Sequence, residues 1–210
     1  MARALDAPGR AMLRFLLIGI GLTILAGALQ NEIVARLLPL FRAWLDLVDT
    51  TFRTLDLSIV SDHSESMVRR LSTPAFVHAV GNTFLYPGPV LFNQAAAGIV
   101  LQPAILAIAL LAVWPWHSRT DLCLRLLLGA VFLPLLLVLD VPMMLCGFAW
   151  YTELKEFDPS HFSLLVSWAD AMNAGGRFAL AIVAAASATA LAVRLSVRLE
   201  GMRDRTPLPT

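Results

Sequence analysis

The sequence predicts an all-α integral membrane protein with about four transmembrane helices and an exported amphipathic helical segment between spans 1 and 2. First, 58% of the 210 residues are hydrophobic and 15% are charged, whereas soluble domains are about 45–50% apolar and about 25% charged. Second, four long apolar runs divide the chain. Third, most arginines fall on one predicted side of the membrane, and an excess of basic residues is typical of cytoplasmic segments. A soluble enzyme is therefore a poor expectation.

The four apolar runs set the predicted segment boundaries. About 18 or more apolar residues can cross roughly 30 Å of hydrocarbon as a helix. In chain order we predict a cytoplasmic N-terminus (1–11), a first span (12–29), an exported helical cap (30–94), a second span (95–114), a cytoplasmic loop (115–121), a third span (122–150), an exported loop (151–177), a fourth span (178–193) and a cytoplasmic tail (194–210).

The arginines give the predicted orientation. They precede the first span and follow the fourth, at Arg3, Arg10, Arg14, Arg194, Arg198, Arg203 and Arg205. The positive-inside rule then places both termini in the cytoplasm. Lys155 is the only lysine, a bias typical of GC-rich bacterial genomes, so the predicted location is a bacterial inner membrane.

A cleavable signal peptide is an alternative for the first span. Basic residues, an apolar core and then Ala26-Gly27-Ala28 fit that pattern. Cleavage would leave three spans and an exported N-terminus. The helical pattern that continues past Ala28 favours an uncleaved helix. A cleaved signal peptide stays open as the alternative.

The exported cap begins with a pattern typical of an amphipathic helix. From Ile33 to Leu57 apolar residues recur at spacings of three and four, with charged residues between them. Such a helix packs on its own protein, lies on the outer leaflet or docks a partner, and all three remain open. The predicted docking residues are Leu37, Phe41, Trp44, Val48 and Phe52.

The rest of the cap carries weaker signals. Residues from Met67 to Val80 fit a short helix, and Arg69-Arg70 is a basic pair that would meet anionic headgroups or an acidic partner. His63 and His78 lack the short spacing of zinc ligands, so we predict solvated loop histidines.

The fourth predicted span has two rows of small residues at a spacing of four. Small residues in such rows let membrane helices approach closely. The predicted helix-packing residues are Ala181, Ala185 and Thr189 in one row and Ala184, Ala188 and Ala192 in the other.

Asp140 is the one acid inside the third predicted span, and it lies between Pro134 and Pro142. Prolines interrupt the helical hydrogen-bond ladder and free carbonyl groups. An ionisable group at this depth is costly and is a candidate functional position. It is interpreted either as a structural residue or as a group that carries protons or pairs with an arginine.

Three residues near the predicted outer boundary have the chemistry of a cysteine enzyme. Cys146, His161 and Arg177 would supply a thiolate nucleophile, a base and an anion stabiliser. Their layout resembles that of the exosortase family of membrane cysteine transpeptidases, which implies the same roles for these residues. The order here is cysteine, histidine, arginine, whereas the family has cysteine, arginine, histidine, and this chain has fewer spans.

These patterns favour a non-catalytic accessory or scaffold subunit that docks a membrane or exported protein in an envelope assembly, export or polymer-secretion complex. The alternatives are the cysteine enzyme and a small proton-coupled transport component centred on Asp140. No motif indicates a cofactor, a metal or a nucleic-acid partner.

Overall fold

Three helices are long and apolar enough to cross a membrane in the computed structural model, which describes residues 2–62, 65–115 and 118–203. These helices cover Gly9–Val48, Arg119–Phe157 and Leu164–Leu199. The part of the chain that the structure describes is mostly helical (71%). This confirms the coarse prediction of a mostly helical chain whose long apolar helices are consistent with a multi-pass membrane protein.

The helices are α1 (Ala2–Val48), α2 (Ala97–Val113), α3 (Arg119–Phe157), α4 (Leu164–Ala171) and α5 (Arg177–Arg203), with a π-helical segment, Met172–Gly176, between the last two. The short α2 packs against α1, α3 and α5. Its 17 residues span roughly 26 Å at about 1.5 Å per residue. The part of the predicted tail after residue 203 lies outside the described residues.

Five strands lie between α1 and α2. Strands β1 (Phe52–Asp62), β2 (Glu65–Pro74) and β5 (Leu91–Ala96) form an antiparallel sheet in the order β1-β2-β5, and β3 (His78–Val80) pairs with β4 (Thr83–Leu85) in a hairpin. The all-α prediction is therefore wrong for the cap. The helix expected over 33–57 ends at Val48, and most of the helix expected over 67–80 is strand.

Side-chain alternation explains the sheet. On β2, Val68, Arg70, Ser72 and Pro74 are buried while the residues between them are partly exposed. A period of two is that of a strand with one covered face. The covering elements are α2, which contacts β2 and β5, and α3, which contacts β5.

The amphipathic end of α1 packs inside the chain. Phe41 is fully buried and Phe52 is 1% exposed, Leu37 and Trp44 pack against the same core, and Val48 is 37% exposed. That core also contains Val34, Leu45, Leu57, Val68, Ala95 and Val100. Phe41 is covered by the core that it shares with α2 and the sheet, and Phe52 packs against His78 and Trp150, so docking of a partner through this segment stays a prediction. Packing on its own protein is the observed alternative.

Helix α5 packs through its small residues. Ala181, Ala185, Ala188, Thr189 and Ala192 are buried, and Ala184 is partly buried. Ala181 and Ala185 share a cluster with Ala107 of α2 and Leu136 of α3. Close approach of backbones, which small side chains permit, holds these helices together.

The β3–β4 hairpin sits on the carboxyl-terminal end of α3. Val80 and Leu85 pack with Leu154, and Trp150 and Phe157 border this cluster. Gly81 turns the hairpin with a φ of 58°, and a Cβ there would lie 2.6 Å from the Phe157 carbonyl oxygen. The position therefore requires glycine on both conformational and steric grounds.

Candidate functional site

The inner face of the sheet buries an arginine. Arg70 on β2 is fully buried, and its Nη2 donates to Asp49 Oδ2 at 2.8 Å and to the Phe52 carbonyl at 3.0 Å. Its Nε donates to Thr54 Oγ1 at 3.1 Å. Asp49 follows the last residue of α1, and Phe52 and Thr54 are on β1. The guanidinium therefore joins helix α1 to two strands.

Cys146 on α3 completes this cluster. Arg70 Nη1 donates to Cys146 Sγ at 3.7 Å, and the cysteine is 1% exposed. The basic pair Arg69-Arg70 is predicted to meet headgroups or an acidic partner, but Arg70 pairs with Asp49 of its own chain. The signal that could have placed it inward is the alternation on β2, where residues 68, 70 and 72 share a face.

Two further polar groups lie beside Arg70 on the same sheet face. Asn93 is the direct partner of Arg70 across the β2–β5 pairing, and Ser72 is two residues along β2. Asn93 Nδ2 and Ser72 Oγ are buried and have no hydrogen-bond partner within the described chain. Buried water usually satisfies such groups. This row is the polar part of an otherwise apolar core.

His78 lies next to the Arg70 cluster and is not a solvated loop histidine. Its ring packs edge-on against Phe52 at 5.7 Å between centroids and lies 6.0 Å from Trp150. Its Nδ1 is 3.2 Å from the Phe76 carbonyl oxygen. The prediction of a solvated histidine is wrong here because β3 folds back onto α3. His63 lies outside the described residues.

A second buried arginine cluster lies within the helical bundle. Arg177 Nη2 is 3.9 Å from Asp140 Oδ1, and the acid is fully buried. The same Nη2 lies 3.3 Å from Asn173 Oδ1 and 3.4 Å from Met144 Sδ, and Nε donates to the Met172 carbonyl at 3.1 Å. Neither carboxylate oxygen of Asp140 has a hydrogen-bond partner within the described chain.

The π-helical segment places Arg177 beside Asp140. Gly175 has a φ of 106°, a left-handed conformation that favours glycine. At Gly176 a Cβ would lie 2.6 Å from the Ala171 carbonyl oxygen. On the neighbouring turn, Trp168 Nε1 donates to the Leu139 carbonyl at 2.9 Å and fixes α4 against α3. The two glycines thus permit the bend that turns Arg177 inward.

The predicted enzyme residues are not brought together by any described contact. The His161 side chain is 61% exposed and lies 3.7 Å from Asp158, whereas Cys146 contacts Arg70 and Arg177 faces Asp140. A catalytic thiol needs both thiolate character and access for substrate. A thiol that is 1% exposed lacks that access, and its observed role is to accept a hydrogen bond.

A third buried arginine has a structural role. Arg125 pairs with Asp121 one turn earlier on α3, at 2.7 and 2.9 Å, and donates to the carbonyls of Trp114 and Pro115. These carbonyls follow α2 and have no helical partner. The pair therefore closes the α2–α3 connection.

The described residues offer few other groups that could bind a ligand or a metal ion. The cavity between α2 and α3, about 390 Å³, is lined by apolar side chains except for Arg125. No three His, Cys, Asp or Glu side chains among the described residues are arranged to hold a metal ion.

The chain matches no protein-family model, no curated protein and no solved structure.

Proposed function

We propose that this chain is a non-catalytic, polytopic inner-membrane subunit, an accessory or scaffold that docks a partner protein in an envelope assembly, export or polymer-secretion complex. The observation that carries the proposal is a series of exposed large apolar side chains in the β3–β4 hairpin and in the chain on either side of it, from Phe76 to Phe92. We call this group the hairpin surface. Its members are Phe76, Val77, Phe84, Tyr86, Val90 and Phe92.

The hairpin has an occupied face and an outward face. Val80 and Leu85 pack on Leu154 of α3. Phe84 alternates with Leu85 along β4 and is 61% exposed, and Tyr86 is 62% exposed. Because the inner face already holds the hairpin to the bundle, the outward side chains are not needed for that attachment.

The position of the hairpin favours a protein partner over lipid. It packs against Trp150–Phe157, the end of α3 that follows the apolar run 122–150. The hairpin surface is therefore on the water side of the membrane boundary in the proposed topology. Large apolar groups exposed to water mark interaction sites. The proposed partner is an exported protein, or the exported part of a membrane protein, that offers an apolar surface.

The proposed topology has four crossings and cytoplasmic termini, with the sheet exported. Two observations support it. Helix α2 lies among the three long helices rather than outside them, and the arginines before the first helix and after the last satisfy the positive-inside rule. A strand leads directly into α2 at Ala96, which places the sheet at the end of that helix.

The test is a mild-detergent pull-down of the tagged chain from its native membrane, with mass spectrometry of the recovered proteins. A stoichiometric partner is expected with the parent, and its loss with the double variant Phe84→Ser and Tyr86→Ser. The control is Phe162→Ser, since Phe162 is 76% exposed in the connection between α3 and α4. Recovery of the chain alone from native membranes would contradict the proposal, as would a partner that the hairpin variant retains.

A further inference from the structure

Asp140 is a buried acid with a cation nearby and no hydrogen-bond donor within the described chain. Both carboxylate oxygens are unpartnered, and Arg177 Nη2 stands 3.9 Å away. That distance exceeds the 2.7–2.9 Å of a charge-assisted hydrogen bond. The guanidinium is instead engaged with Met172, Asn173 and Met144. Arg177 is therefore near Asp140 but hydrogen-bonded to other acceptors instead of to the carboxylate.

An ionised carboxylate is costly in this environment. Burial of a charge is tolerated when the charge is paired and hydrogen-bonded, and Asp140 accepts no hydrogen bond in the described chain. A neutral carboxylic acid avoids the penalty of a buried charge, and its smaller cost is that of one unsatisfied O–H donor. Burial without a hydrogen-bond donor therefore favours the protonated acid over the carboxylate, while Arg177 is hydrogen-bonded to other acceptors.

We propose that Asp140 is a proton-binding site within the bundle and that Arg177 is its movable counter-ion. On release, the O–H bond of the acid breaks, the electron pair stays on the carboxylate oxygen and the proton passes to water. The net charge of the pair falls from +1 to zero. The guanidinium then leaves Met144 and Asn173 and closes onto the carboxylate.

The π-helical segment links this exchange to the helices. Arg177 follows Met172–Gly176 directly, and both Met172 and Asn173 in that segment accept from it. Movement of the guanidinium therefore changes the contacts that hold the bend between α4 and α5. Gly175, already at a φ of 106°, is the position at which backbone dihedrals can change with least steric cost.

The charged surroundings of Asp140 are simple. Arg177 of α5 is the one ion-pair partner of Asp140 within the described chain. The neighbouring α4 contributes Trp168, a neutral donor that is already bonded to the Leu139 carbonyl. Helix α3 contributes Met144, a neutral residue whose sulfur accepts from Arg177. Proton binding at Asp140 is thus controlled by one arginine.

The test is infrared spectroscopy of the full chain in lipid nanodiscs, with ¹³C-labelled aspartate. A protonated aspartic acid gives a carboxylic C=O stretch that is separate from the carboxylate bands. We expect this band at neutral pH in the parent and its loss in Asp140→Asn. The control is Asp170→Asn, because Asp170 is exposed on α4 and its replacement should leave the band unchanged.

A pH titration then examines the role of Arg177. The band should disappear as pH rises, and Arg177→Gln should shift its disappearance to higher pH because the carboxylate loses its counter-ion. Absence of a protonated-aspartate band at neutral pH in the folded parent chain would overturn the proposal. A band retained in Asp140→Asn would overturn it equally. Neither result bears on partner recovery, so the docking proposal is tested separately.

Discussion

Arg70 donates to Asp49 at 2.8 Å with both side chains almost wholly buried. This ion pair connects the second strand to the residue that follows α1, and Cys146 reaches the same guanidinium from α3. One side chain therefore holds the sheet against two helices. Its energetic role differs from that of a surface pair, because water does not screen it.

We expect Arg70→Ala to destabilise the protein by about 3–5 kcal/mol, since the replacement leaves the Asp49 charge buried and unpaired. Thermal unfolding in detergent, followed by circular dichroism, measures the loss. Arg53→Ala is the control, because Arg53 is exposed on β1. The double variant Arg70→Met and Asp49→Leu should lose less than Arg70→Ala. Equal stability of the Arg70 and Arg53 variants would contradict the structural role.

Phe41→Ala should destabilise the chain by about 3–5 kcal/mol, the usual cost of removing a buried aromatic ring. Phe41 is fully buried in the core shared by α1, α2 and the sheet, whereas its neighbour Leu40 is 39% exposed. Leu40→Ala is therefore the matched control and should lose much less. The fraction of protein that elutes as a monodisperse peak after heating measures both. An unaffected Phe41 variant would reopen this face as a docking surface.

Gly147→Ala should separate α3 from α4. A Cβ at this position would overlap the Leu165 carbonyl and lie 2.7 Å from Ala169 Cβ, so a backbone must move. Gly19→Ala is the control, since a Cβ there meets no atom within 4 Å. We expect reduced expression and a lower unfolding temperature for the first variant alone. Similar unfolding temperatures would show that the α3–α4 contact is loose.

The two cysteines should differ in reactivity. Cys123 is exposed and Cys146 is buried, and maleimide reacts with accessible thiolates. We expect one label per native chain, at Cys123, and two after denaturation. Cys123→Ala removes the native label and Cys146→Ala retains it. Rapid native labelling of Cys146 would restore the cysteine-enzyme alternative, and loss of partner recovery in Cys146→Ala would give the thiol a role in docking.

The long apolar helices were predictable because the bilayer imposes a length and a composition on them. The alanine rows of α5 were readable for a similar reason: they form a periodic pattern on one helix, and Ala181, Ala185, Ala188 and Ala192 are indeed buried. In these segments the residue pattern along one helix is enough to indicate where its side chains lie. The boundaries of α2 were less predictable, since its first predicted residues pair in β5.

The sheet was missed because its inner face is partly polar. Sequence patterns locate a strand by assuming that apolar residues face inward, yet Thr54, Arg70, Ser72 and Asn93 are among the inward residues here. The apolar positions Leu55 and Phe92 are exposed, so the hydrophobic pattern indicates the wrong face. The Arg70–Asp49 and Asp140–Arg177 pairs join residues 21 and 37 positions apart, and no local spacing encodes such contacts.

The cluster around Arg70 also sets an order of assembly during synthesis. Its acidic partner lies 21 residues earlier in the chain, but its sulfur partner comes 76 residues later. The bonds of Arg70 to Asp49, Phe52 and Thr54 need only the chain up to β2, whereas the bond to Cys146 needs α3. A chain that ends before Cys146 therefore has an arginine already paired on the sheet but lacks the contact that joins it to α3, so the last bond of this cluster forms only when the third long helix is in place.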